Sequence, residues 1–268
     1  MLLSYFVYSF DSAGLGKVDK SSLSDQTLIE LLFGSCQCQE RFRNDDGDFT
    51  DVSEMEGIIL NDEGRVIEIE MLDSSTGVEK TTLAGELHLE WLPSSLHQID
   101  LAGNNCSGVF DCRFIPLSTR IALFENNLLT GSVDLEVLLN LEVLVAGWNR
   151  LSGTIDFTKF PQKLIVLHVS HNSIGGQVDL RGIGKPIAFE TFAVTCSFLN
   201  GDDVSRDTVH MALGDNQFER DIRVQDCETS VKDFRVFENL QSERIVDETG
   251  AFKVILEEIV PRIRRSNY

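Results

Sequence analysis

Apolar and polar residues recur in a single phase through the middle of the chain. A block of glycine, any residue, an apolar residue, a polar residue and a second apolar one starts at Gly85, Gly108, Gly131, Gly153 and Gly176. The five blocks read GELHL, GVFDC, GSVDL, GTIDF and GQVDL, at intervals of 23, 23, 22 and 23 residues. Asn104, Asn127, Asn149 and Asn172 each stand four residues before one of the last four glycines. Apolar residues precede each asparagine in one phase: Leu96, Ile99 and Leu101; Phe124; Leu141, Leu144 and Ala146; Leu164, Leu167 and Val169. The second set is the poorest, with Thr119 and Ala122 in its first two places. The pattern predicts stacked strand-and-turn units, because one unit cannot bury its own apolar face and a stack can.

The pattern thins toward both ends. Downstream, FETFAVTCSFLNG places Ser197 and Gly201 at the asparagine and glycine positions, TVHMALGDNQFER places Asn216 and Arg220, and VKDFRVFENLQ places Asn239. The step from Ser197 to Asn216 is only 19 residues, so a register error can enter there. FKVILEEIVPRIRRSNY has a strand-like start and a charged finish, and reads as a cap on the open core. Upstream, Val66 to Leu72 alternates like a strand and SDQTLIELLFG reads as a helix.

LPSSLHQIDLAGNNCSGVFDC and QKLIVLHVSHNSIGGQVDL resemble leucine-rich repeats of the short plant and protist type. The resemblance implies a leucine-rich-repeat solenoid with a parallel concave β-sheet, an asparagine ladder, short convex segments and a helical N-terminal segment. Asparagine suits the ladder because its amide both donates and accepts, and can satisfy the buried backbone of successive turns. DVSEMEGIILNDEGRVIEIEM is similar to the N-terminal cap of that family, with Gly57, Ile58, Gly64, Arg65 and Val66 in place. Ser53 and Leu60 stand where the family carries cysteines, and Met55 where it carries tryptophan. The resulting division is an N-terminal segment over 1–50, a cap over 51–82, repeats over 83–245 and a C-terminal cap and tail over 246–268.

The 268 residues carry a formal net charge of -20, which opposes nucleic-acid binding and suits either solubility or a basic partner. No apolar run approaches the roughly 20 residues that span a bilayer. The opening MLLSYFVYSF lacks a basic start, so it reads as a packed helix or strand first and a truncated signal second. Cys106 and Cys112 fall at repeat positions held by Leu129 and Leu135 one turn later, as buried hydrophobes would. Cys36 and Cys38 could form a redox or metal pair, a weak signal on its own. The missing cap cysteines favour an intracellular or organellar location.

Little catalytic chemistry is legible. His168 and His171 sit three apart on an expected strand, which would turn them to opposite faces. Asn44 to Asp51 looks like a calcium loop but has Phe49 where the glycine belongs. Asp11 to Ser22 fits a hand better, yet Ala13, Leu15 and Ser22 remove ligand oxygens; a degenerate hand and a simple turn are equal readings. No nucleophile elbow, phosphate loop or triad spacing occurs, which points to a non-enzymatic protein without a cofactor.

In the implied fold, residues between the ladder positions face the concave side. Ile121, Leu123, Val143, Val145 and Trp148 then form an apolar patch there, continued by His168 and His171. Such a patch predicts a protein or peptide partner with Trp148 as an anchor, or else cover by the chain's own N-terminal segment. The leading function is an interaction scaffold, an accessory subunit of a larger assembly. The alternatives are a ligand-sensing receptor fragment and a calcium-responsive regulator.

Overall fold

The computed structural model describes residues 19–37, 42–71, 83–189 and 206–225, with the strand backbones at 231–234, 244–246 and 252–254. Two sheets enclose one apolar core, and strands are numbered in chain order. The first sheet begins β2 (Ile58–Leu60), β3 (Val66–Glu70), β5 (Gln98–Asp100), β7 (Ile121–Leu123) and β9 (Val143–Val145). It continues with β11 (Val166–His168), β14 (Val209–Ala212), β13 (Ile187–Phe189) and β16 (Val231–Phe234), in that spatial order. The second sheet runs β1 (Ser35–Cys36), β4 (Gly85–Glu86), β6 (Cys106–Asp111), β8 (Leu128–Ser132) and β10 (Arg150–Thr154). Beyond them lie β12 (Ser173–Asp179), β15 (Gln217–Arg223), β17 (Arg244–Val246) and β18 (Phe252–Val254). Successive repeats pair in parallel, residue for residue, as in Ile121 with Val143 and Val143 with Val166.

The asparagines form the expected ladder. Asn127 donates to Leu101 O at 2.7 Å and accepts from Cys106 N at 2.9 Å. Asn149 repeats this with Phe124 O and Leu129 N, and Asn172 with Ala146 O and Leu151 N. Each amide therefore satisfies one backbone group of the preceding repeat and one of its second strand. The recurring glycine permits close approach of successive turns. At Gly131 (φ +114°) a Cβ would stand 2.2 Å from Phe110 O. The aspartate of each block acts as a cap. Asp111, Asp134 and Asp156 start short 3-10 turns by accepting from the N–H two residues on.

The ladder corrects the order of repeats. Asn216 donates to Val169 O at 2.8 Å and accepts from Ile174 N at 3.0 Å, so its repeat stacks directly on that of Asn172. β14 pairs with β11 and β15 with β12, while β13 lies on the far side of β14. The stretch from 181 to 207 is thus inserted between these two repeats, and its described strand, β13, joins the first sheet. Ser197 and Asn239, expected at ladder positions, lie outside the described residues.

At the other end, α1 (Asp25–Phe33) starts at Ser24, which accepts from Thr27 N, and buries Leu28, Ile29, Leu32 and Phe33. Asp25 ties the helix to the cap by accepting from Val66 N at 2.7 Å and from Arg65 Nε at 3.0 Å. Of the hand-like segment, residues 11 to 18 lie outside the described residues, and Asp19 caps a short turn by accepting from Ser21 N. In the Asn44 loop, Asn44 Oδ1 accepts from the N–H groups of Asp46 and Asp48, a turn closed on itself. Cys106 and Cys112 are buried, and burial pushes the Cys112 thiol up to about 12. No helix among the described residues is long and apolar enough to cross a membrane.

Candidate functional site

Every residue of β9 and β11 is buried, on both faces of the sheet. Leu144 and Leu167 enter the main core, whereas Val143, Val145 and Val166 turn away from it. With Leu123, Ile165 and the half-buried Ile121 they make a second apolar cluster. The expected patch is therefore assembled but not open to water: Leu123 is 2%, Val143 0% and Val145 1% exposed. The physical reason is the one that made the patch conspicuous, since contiguous apolar side chains on an outer face gain by leaving water. Trp148 and His171 remain exposed at its rim, and His168 does not.

That rim is built from turns. Asn126, Trp148, His171 and Asp215 each precede a ladder asparagine with positive φ of 49–55°. Non-glycine residues adopt this conformation at a cost of order 1 kcal/mol, and here the backbone ladder holds them in it. Trp148 N donates to Ser170 O and His171 N to Gly214 O, both at 2.9 Å. The side chains then meet along the stack. The Trp148 and His171 rings lie 4.2 Å apart at 18°, and His171 Nδ1 lies 3.0 Å from Asp215 Oδ2.

His168 reaches the same cluster from below, edge-on to Trp148 at 5.4 Å, with its Nε2 2.6 Å from Ser170 Oγ. Gly147 makes this possible, because a Cβ there would stand 2.8 Å from His168 Nε2. The expectation that the two histidines face apart is corrected. β11 ends at His168, His171 belongs to the following turn, and both rings converge on Trp148.

Burial, followed by the nearby His171, holds the His168 imidazole down at about 4. The unfolded chain therefore takes up a proton that the folded chain refuses between about 6.5 and 4. The contribution of His168 to stability falls as pH drops through this window, by about 3 kcal/mol in all, and stays level above it. The raised Glu125 carboxyl contributes in the opposite sense, so the test is a difference: between pH 7.5 and pH 4.5, urea unfolding should show the unaltered chain losing more stability, or gaining less, than His168→Asn. An equal change in both proteins would contradict the assignment.

Acidic groups continue the rim toward the N-terminal repeats. Glu70 and Asp100 are register partners on β3 and β5. Burial and then the Glu70 charge raise the Asp100 carboxyl, and burial and then Asp100 push Glu125 up to about 7. Among the described residues these three carboxylates form no ion pair. Ser170, Gly147 and Glu125 had no distinct signal in the sequence, whereas Asp100 shares the outward column of Leu123, Val145 and His168. Asp215 does share the column of Trp148 and His171, but Cys196 intervenes there in chain order.

No protein-family model matches the chain, and no curated protein matches it. Among solved structures, the leucine-rich-repeat ectodomain of the Arabidopsis receptor kinase HAESA, in complex with a peptide hormone ligand, is 18% identical with a TM-score of 0.52. That match covers 74% of this chain and 30% of the HAESA ectodomain chain. The BIR2 ectodomain from Arabidopsis thaliana is 24% identical over 57% of this chain and 83% of its own, with a TM-score of 0.47. A plant ice-binding protein is 17% identical over 83% of this chain and 79% of its own, also at 0.47. The fold is a leucine-rich-repeat solenoid.

Proposed function

We propose that this leucine-rich-repeat chain is a non-enzymatic binding module that takes a protein or peptide on the rim of its concave face. We read it as a scaffold or accessory subunit of a larger intracellular or organellar assembly. One observation carries the reading. Trp148 is 38% exposed on a turn held by backbone hydrogen bonds, stacked on an imidazole and bordering a buried apolar cluster. A large aromatic side chain already held in place loses little entropy on binding and suits an anchor role.

Affinity purification from the native source tests this with three baits: the unaltered chain, Trp148→Ala, and Leu139→Ala, whose leucine is exposed elsewhere. A partner retained by the first and third baits and lost from the second supports the reading. A partner retained equally by all three removes the rim from consideration. The second reading, a ligand-sensing receptor-type fragment, is favoured by the likeness to HAESA with its bound peptide hormone. It differs in requiring a short peptide, rather than a folded subunit, among the material retained.

A further inference from the structure

His171 offers more than a stacking surface. Its Nδ1 lies 3.0 Å from the Asp215 carboxylate, which favours the ring proton on that atom. Nε2 is then a lone-pair acceptor of fixed direction. It meets no hydrogen-bond donor among the described residues, and the side chain is 39% exposed. The rim thus presents an imidazole acceptor beside the exposed Trp148, with Asp215 on one side and, on the other, Glu125 two repeats and Asp100 three repeats from His171. Apart from the indole, each of these groups is an acceptor or an anion. A chain of net charge -20 adds a long-range field of the same sign.

We infer that the rim recognises a guanidinium group of a basic peptide, which donates N–H bonds to His171 Nε2 and to the Asp215 carboxylate. The inference rests on the reading of the rim as a partner site and supplies the chemistry of that partner. Guanidinium fits better than ammonium because its planar fork of donors can serve two acceptors while lying against an aromatic ring. A carboxylate or phosphate ligand would meet an acceptor at His171 and negative charge at Asp215.

The test is titration of the full chain with N-acetyl-arginine amide, and with the citrulline analogue as neutral isostere, followed by the indole N–H resonances. Only Trp91 and Trp148 contribute such signals, so Trp91 is an internal control. The expected result is saturable movement of the Trp148 signal with arginine and none with citrulline. Affinity should fall about tenfold in His171→Ala, and Asp215→Asn should weaken binding as well. Equal movement with citrulline, no movement with arginine, or undiminished affinity in His171→Ala with an unchanged amide spectrum would each overturn the inference. A partner still captured through Trp148 in the affinity experiment would leave the rim as a binding site with a ligand of other chemistry.

Discussion

Asn127→Ala should destabilise the chain by about 2–6 kcal/mol, enough to unfold it or leave it marginal. The amide is 5% exposed and serves Leu101 O and Cys106 N, both in the preceding repeat. Truncation leaves both backbone groups buried without a partner, at about 1–3 kcal/mol each. The effect should exceed the usual mutational cost of about 1 kcal/mol, because the ladder is shared: the Asn127 turn is bonded through its backbone to Gly147 O and Trp148 O of the next repeat. Asn140→Ala is the control. Its amide makes two exposed bonds, donating to Leu117 O and accepting from Lys163 Nζ, and their loss should cost under about 1 kcal/mol. Urea unfolding followed by circular dichroism reads both. Equal midpoints for the two variants would show that the ladder does not bear stability.

Trp148→Ala should weaken binding of the captured partner by at least about thirtyfold, which is the 2 kcal/mol of an interface anchor. The same change should leave the ladder intact, because Asn149 bonds through its amide and Asn127 through the Trp148 backbone, neither through the indole. Stability should therefore move far less than affinity. Titration calorimetry with the purified partner separates the two, alongside unfolding of the free variants. A loss of affinity matched by a loss of folding would make the indole a structural residue.

The four repeats from Asn104 to Asn172 were legible because their constraints are local. An asparagine four residues before a glycine, with apolar residues in fixed phase upstream, needs no knowledge of distant contacts. The insertion after Asp179 was not legible. FETFAVTCSFLNG carries the alternation of a repeat, and alternation shows that a stretch can form a strand, not which strand it pairs with. The same limit hid the Asp215–His171 contact, since these residues become neighbours only once the ladder passes over 181–207. Nor could the pattern tell that Val143 and Val145 are covered. An outward apolar column looks the same whether chain or partner shields it. His171 was misplaced for a smaller reason: the strand stops three residues earlier than its alternation suggested.

Hydrogen exchange of the chain with and without its captured partner tests the rim most directly. Protection should appear in the amides of 145–149 and 168–172, around the turns that carry Trp148 and His171. Ser132, Ser152 and Thr154, exposed on the second sheet, should be unchanged. Protection confined to the second sheet, with the two turns unaltered, would contradict the account.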